Sequence, residues 1–142
     1  MTSLSALYPM SDVIIHKDTM LLIDEVIDFS ENSLTSQVTI TPATVFLNAD
    51  NIVPAWIGIE YMAQTIAAWA GVTHMKKGDE LKKGYLLGSR KYVSHVSHFT
   101  LGSVLTISVE KVYEGNDLGV FECTISNDKL LAEASLNVYQ PQ

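Results

Sequence analysis

Glu60 is a carboxylate in a segment that the sequence predicts to be a buried helix. The segment Val53–Gly71 reads VPAWIGIEYMAQTIAAWAG and is nonpolar on nearly every side of a helix, which is typical of a helix inside a core. A carboxylate there is costly unless it is paired or protonated, and burial raises its pKa. We therefore interpret Glu60 as a general acid or base. The alternative is a structural acid bonded to Gln64, one turn further along.

The start of this helix forms a second candidate site. Pro54 is placed like a first-turn proline, and Val53, the expected N-cap, has no side-chain acceptor for the first amides. The backbone N–H groups expected to be free are those of Ala55, Trp56 and Ile57. A helix N-terminus stabilises negative charge, so these amides would hold a ligand oxygen. The alternative is that water or loop backbone occupies this end.

The remaining chemistry-bearing side chains favour structural interpretations. His95 and His98 are three residues apart on a predicted strand, which places them on opposite faces and argues against a metal pair. Cys123 is the only cysteine and is more typical of a small core residue than of a nucleophile. Asp50 is explained by turn chemistry, although it could contribute to the site. No metal or redox cofactor is expected, and no zinc motif, Gly-rich phosphate loop or Ser-His-Asp order appears in the sequence.

Predicted strands surround the helix along the chain. The pattern predicts a helix over residues 55–73, ending near Gly71, with a loop before it at 41–53. Strands are predicted at residues 20–27, 33–41, 85–96, 103–113, 119–126 and 130–139. This order predicts an α+β fold, an antiparallel sheet with one helix packed on it. Because a flat sheet covers only one side of a helix, the sheet must curl around it or a second subunit must cover the rest.

Composition limits the class of protein. The 142 residues fit one domain, 1–142, with a substantial core. A net charge of -7 argues against a nucleic-acid partner. No nonpolar run reaches the length that spans a bilayer, and the N-terminal residues lack the pattern of a secretion signal. A single cysteine fits a reducing compartment, so a cytoplasmic location is expected.

Three stretches resemble the 3-hydroxyacyl-acyl-carrier-protein dehydratases of the hotdog superfamily. They are Ile14–Val26, which contains His16, Val53–Gln64, and Ser89–Glu110. In the second stretch, the residues in register with the family's helix motif are Pro54, Glu60, Met62, Ala63 and Gln64. The motifs Pro-Ala-Trp and Glu-Tyr-Met-Ala-Gln are similar to those of the dehydratase-like proteins of aryl-polyene gene clusters. The resemblance implies a hotdog fold, in which a curved antiparallel sheet wraps one long central helix.

The chain departs from this family at one catalytic residue. The family has a histidine in a His-Phe-Pro-Gly motif upstream of the helix, whereas this chain reads TVFLNADNIVPA over Thr44–Ala55 and has no histidine there. The resemblance therefore carries over Glu60 but not its usual histidine partner. His16 becomes the substitute, since imidazole titrates near neutrality. The alternative is a loop histidine satisfied by backbone groups.

The resemblance implies dehydration of a 3-hydroxyacyl thioester, bound to an acyl carrier protein, to a trans-2-enoyl thioester. The thioester carbonyl would lie at the helix amides, His16 would take the α-proton and Glu60 would protonate the departing hydroxyl. Two alternatives stay open: an acyl thioesterase, or a catalytically weak subunit of a heteromeric hotdog dehydratase. The expected assembly is a homodimer or a heteromer with another hotdog subunit.

A basic cluster is the candidate surface for the acidic carrier protein. Six of the nine basic residues fall in one stretch: Lys76, Lys77, Lys82, Lys83, Arg90 and Lys91. Complementary charge would speed and orient docking. The alternative is an ordinary solvated loop, since lysines also favour helix C-terminal ends.

Overall fold

A computed structural model describes residues 22–44, 46–76, 86–115 and 118–139, with side chains at all of these except 74–76 and 86–90. His16 and Lys77, Lys82 and Lys83 lie outside the described residues. No helix in these ranges is long and nonpolar enough to cross a membrane.

Within the described ranges, the main sheet has six antiparallel strands. These are β1 (Glu25–Ser30), β2 (Ser33–Thr39), β4 (Leu86–Ser94), β6 (Val104–Gly115), β7 (Leu118–Ser126) and β8 (Leu130–Tyr139). Their order across the sheet is β1-β2-β6-β7-β8-β4. All six were predicted from the sequence, and the bounds of β8 match the prediction. The first strand was placed too early, because the nonpolar residues Leu22 and Ile23 precede β1 and are buried without belonging to a strand.

A second, two-stranded sheet was not predicted. It pairs β3 (Ile52–Pro54) with β5 (His98–Thr100) in antiparallel register. The first of these strands falls at the end of the segment predicted to be a loop, and the prediction was wrong there. Three residues are too few to show the alternation by which a strand is recognised in sequence. The pairing brings His98 opposite Pro54, at the entrance to the helix.

The helical segment ends later than predicted, at Lys76 and not at Thr73. A 3-10 turn, Ala55–Ile57, leads into helix α1, which spans Gly58–Lys76. The interpretation of Gly71 as a stop was wrong, since this glycine is buried inside α1. A glycine within a helix costs about 1 kcal/mol relative to alanine. Packing of the flanking turns overrides so weak a local preference, because Ala70 and Val72 are both buried.

Helix α1 packs on the inner face of the sheet. Ser36 and Thr65 share a hydrogen bond of 2.8 Å between β2 and α1, and both are fully buried. Trp69 packs edge-on against Phe121 of β7, and the Lys111 ammonium of β6 lies 4.6 Å from the Trp69 ring centroid. These contacts anchor one side of α1 to the central strands.

The side of α1 facing away from the sheet is not covered by the described part of the chain. The exposed or half-buried residues there are Trp56, Ile59, Glu60, Ala63 and Ala67. Their spacing places them on one face of the turn and helix, and we call them the uncovered stripe. Trp56 is 64% exposed. The curled sheet therefore covers most of the helix but not all of it.

Candidate functional site

Glu60 lies in the first turn of α1, within the uncovered stripe. Its side chain is exposed in the single chain, so the prediction of a buried carboxylate was wrong for the chain on its own. The reason is that Glu60 shares the side of the helix turned away from the sheet. Gln64, by contrast, is buried, and its amide oxygen accepts a hydrogen bond of 2.7 Å from the Leu22 backbone N–H. The structural interpretation of Glu60 as an acid bonded to Gln64 is thus not supported.

The helix entrance is more occupied than expected. The Ala55 amide donates a hydrogen bond of 3.2 Å to the Ser97 carbonyl, so its predicted availability for a ligand was wrong. The loop between β4 and β5 supplies this acceptor, and no pattern in the sequence could locate it. Among the described residues no side chain caps the turn, as predicted, but its N-cap is Pro54 and not Val53. The amides of Trp56 and Ile57 remain the candidates for an oxygen-binding site.

Gly58 allows close packing where the 3-10 turn passes into α1. A side-chain carbon at this position would collide with the Tyr92 hydroxyl and would lie 3.0 Å from Ile125 Cδ1 and 3.3 Å from Phe99 Cζ. The Tyr92 hydroxyl donates a hydrogen bond of 2.5 Å to the Ala55 carbonyl. Three strands therefore fix the position of the helix entrance through one small residue.

His98 lies beside this entrance and was assigned no role from the sequence. Its partner in the β3–β5 pair is Pro54, the residue before the 3-10 turn. The His98 side chain is exposed, and its Nδ1 lies 2.8 Å from the Ser97 hydroxyl. The prediction that His95 and His98 share a strand was wrong, because β4 ends at Ser94 and a bend follows. No pattern within the segment reveals that bend or the pairing partner.

His95 belongs to a different environment. Its Nε2 lies 2.9 Å from the Glu133 carboxylate of β8, and both side chains are about half exposed. This contact ties the bend to the outer part of the main sheet. It leaves the two histidines with different partners, and within the described residues no group of three or more His, Cys, Asp and Glu side chains could hold a metal ion.

The polar segment before the helix forms a turn, which was the structural interpretation of Asp50. The Asn48 side-chain oxygen accepts hydrogen bonds from the backbone N–H groups of Asp50, at 2.9 Å, and Ile52, at 3.3 Å. Asn51 has a φ of 62°, a conformation that asparagine tolerates better than most residues. The Asp50 side chain is exposed. These contacts account for the segment without a catalytic role for Asp50.

A cleft of about 240 Å³ opens on the side of α1 next to β2. It is lined by Leu22, Asp24, Val38, Thr39, Thr41, Ala43, Thr44 and Tyr61. Tyr61 is 1% exposed, and among the described residues its hydroxyl has no hydrogen-bond partner. Burial, and secondarily the charge of Asp24, raise the Tyr61 pKa to about 12. Asp24 also accepts a hydrogen bond of 2.7 Å from the Thr39 N–H, so this carboxylate holds the start of β1 against the end of β2.

Cys123 is a core residue, as predicted. It is 1% exposed on β7. Burial, and secondarily the charge of Glu122, raise the pKa of its thiol to about 12. A thiol that stays protonated and inaccessible does not act as a nucleophile.

Comparisons with known proteins agree with this architecture. A family model for the ApeP dehydratase, of the ApeP-like group, matches residues 8–142. No curated protein matches the chain in sequence. Among solved structures, the chain is similar to the dehydratase heterocomplex ApeI:P from Xenorhabdus doucetiae, with 34% identity and a TM-score of 0.88, covering 94% of this chain and 91% of that one.

More distant structures show the fold alone. An uncharacterized protein from Pyrococcus horikoshii has 11% identity and a TM-score of 0.66, with 92% of each chain covered. A hypothetical thioesterase with coenzyme A from Streptococcus pneumoniae has 16% identity and a TM-score of 0.58, covering 81% of this chain and 83% of that one. The thioesterase alternative therefore receives no support beyond the shared architecture. The predicted hotdog fold is confirmed, and the chain belongs to the ApeP-like dehydratase family.

Proposed function

We propose that this chain is a subunit of a heteromeric hotdog dehydratase that removes water from a 3-hydroxyacyl thioester carried by an acyl carrier protein. The observation that carries the proposal is the position of Glu60. It is the acid in register with the dehydratase helix motif, and it lies in the uncovered stripe beside the helix entrance. A site at this position would be completed by the partner subunit that covers the stripe.

The character of the stripe favours a protein partner. Apart from Glu60 it is nonpolar, and Trp56 also makes a tilted ring contact with the half-exposed Phe46, with centroids 6.3 Å apart. Exposed tryptophan surrounded by small and nonpolar residues is typical of interface centres. Strand β4 lies at an edge of the main sheet, where a second sheet could join it in the manner of hotdog dimers. A partner on this side would exclude water from Glu60.

A heteromer is favoured over a homodimer by the family. The similar structure from Xenorhabdus doucetiae is a dehydratase heterocomplex, ApeI:P. We propose that an ApeI-type chain covers the stripe here. This chain lacks the upstream histidine of the common dehydratases, so another group must take the α-proton.

In the proposed reaction, Glu60 protonates the departing 3-hydroxyl group. Removal of the α-proton leaves negative charge on the thioester oxygen, which the amides of Trp56 and Ile57 would stabilise. The carrier protein would approach through the basic cluster, of which the described part includes the exposed Lys91 on β4. A cytoplasmic location belongs to the proposal and is supported by the single free cysteine, Cys123.

The test is turnover of a 3-hydroxyacyl thioester by the chain alone and by the chain mixed with an ApeI-type partner. Enoyl product is followed by its ultraviolet absorbance and free thiol by a colorimetric reagent. We expect Glu60→Gln to lower the rate of enoyl formation by about two to four orders of magnitude, because glutamine keeps the shape but cannot donate the proton. Glu110→Gln is the matched control, since Glu110 is an exposed acid on β6, away from the stripe.

The outcomes separate the candidate functions. Enoyl product that depends on Glu60 supports a catalytic subunit. Full activity of the complex with Glu60→Gln would instead assign this chain the role of a catalytically weak partner. Release of free thiol without enoyl product would indicate a thioesterase and refute the proposal.

A further inference from the structure

We infer that His98 is the group that removes the α-proton in the proposed dehydration, in place of the upstream histidine that this chain lacks. The inference rests on the proposed function and names the partner of Glu60 within the same site. It comes from the pairing of β3 with β5, which places His98 directly opposite Pro54 at the helix entrance.

The spacing along the chain suits a substrate between the two groups. Three residues of 3-10 turn and two of α-helix lie between Pro54 and Glu60, so the six steps from one to the other correspond to about 10 Å along the axis. Side chains on a helix lean toward its N-terminus, so Glu60 leans back toward the end where His98 lies. The α- and β-carbons of the substrate would occupy the gap, next to the amides of Trp56 and Ile57.

The surroundings of His98 hold its ring in place and leave one nitrogen for chemistry. Nδ1 is 2.8 Å from the Ser97 hydroxyl. If Nδ1–H donates to that hydroxyl, Nε2 carries the free lone pair that a base requires. The Ser97 carbonyl accepts from Ala55, so the residue that orients the ring is itself bound to the helix entrance. The neighbouring histidine differs, since His95 faces the Glu133 carboxylate.

The proton balance closes without a cofactor. His98 Nε2 takes a proton from the α-carbon, and the electron pair of that C–H bond forms the double bond. The bond between the β-carbon and its hydroxyl breaks, and the protonated carboxyl of Glu60 supplies the proton that turns the departing hydroxyl into water. The imidazolium then loses its proton and the carboxylate regains one, through solvent, so both groups return to their starting forms.

The experiment compares His98→Gln with His95→Gln, each assembled with the wild-type ApeI-type partner. Both residues are exposed and lie three apart in the same segment, so they form a matched pair. We expect His98→Gln to lower kcat/KM for the 3-hydroxyacyl thioester by about 10²- to 10⁴-fold, the usual contribution of a general base. His95→Gln should leave it unchanged. Thermal unfolding and assembly of both variants should match those of the wild type.

The pH profile distinguishes a base from a structural residue. In wild type, activity should fall on the acid side as the imidazole becomes protonated, and the residual activity of His98→Gln should lack that limb. Ser97→Ala, which removes the orienting hydroxyl, should lower kcat and shift the same limb. If the wild-type complex forms no enoyl product, the proposed function fails. If it does and His98→Gln is fully active, or keeps the acid limb, only the role of His98 is overturned.

Discussion

Replacing Trp56 with alanine tests whether the uncovered stripe is the centre of a subunit interface. Trp56 is 64% exposed in the single chain. A tryptophan buries about 150 to 250 Å² when fully covered, so about 100 to 160 Å² is left for a partner. At about 25 cal/mol per Å², covering that area contributes about 2.5 to 4 kcal/mol to association. The dissociation constant of the complex should therefore rise by about two to three orders of magnitude in Trp56→Ala.

The assay measures association and folding separately. Sedimentation velocity or light scattering over a concentration series gives the dissociation constant with an ApeI-type partner and for the chain alone. Thermal unfolding of the isolated variant should change little, because most of the Trp56 side chain has no packing to lose. Its ring contact with Phe46 is worth about 1 kcal/mol at most.

Tyr113→Ala provides the control. Tyr113 is an exposed aromatic residue of similar accessibility, 54%, on β6 and outside the stripe. Its replacement should leave the dissociation constant unchanged. If Trp56→Ala assembles as tightly as wild type, or if both variants weaken assembly equally, the stripe is not the centre of the interface and the placement of the site there loses its support.

Two further predictions concern stability. Gly58→Ala should lower the free energy of unfolding by about 1 to 3 kcal/mol despite the better helix propensity of alanine, because the added carbon displaces the Tyr92 hydroxyl from the Ala55 carbonyl. Chemical denaturation measures the loss, which should be smaller when Gly58→Ala is made in a Tyr92→Phe background. An equal loss in the two backgrounds would refute this cause. Tyr61→Phe should raise the free energy of unfolding by about 1 kcal/mol, since the buried hydroxyl has no partner. The folded-state pKa of Tyr61 is raised from 10.0 to about 12, so the stability that comes from keeping the hydroxyl protonated is fully present below pH 10 and is lost as the pH rises toward 12. Denaturation between those values should show a steeper loss of the free energy of unfolding for wild type than for Tyr61→Phe. Parallel curves would contradict this.

The sequence by itself determined the class of fold and the position of the acid in the chain. Alternation of nonpolar residues specified the six main strands, and the uninterrupted nonpolar segment specified the central helix. Both patterns are local, because strand and helix periodicities are written within a few residues of one another. The register of the helix motif placed Glu60 in the first turn of α1 in the same way.

Only the tertiary structure decided which side of the helix is covered and which groups meet at its entrance. The exposure of Glu60 follows from the curvature of the sheet and not from the composition of the helix, which is nonpolar all round. The Ala55 amide is taken by Ser97, and His98 is brought opposite Pro54, through a pairing between segments more than forty residues apart. Such contacts depend on how bends and short strands return the chain to one place, and no periodicity in either segment records that meeting.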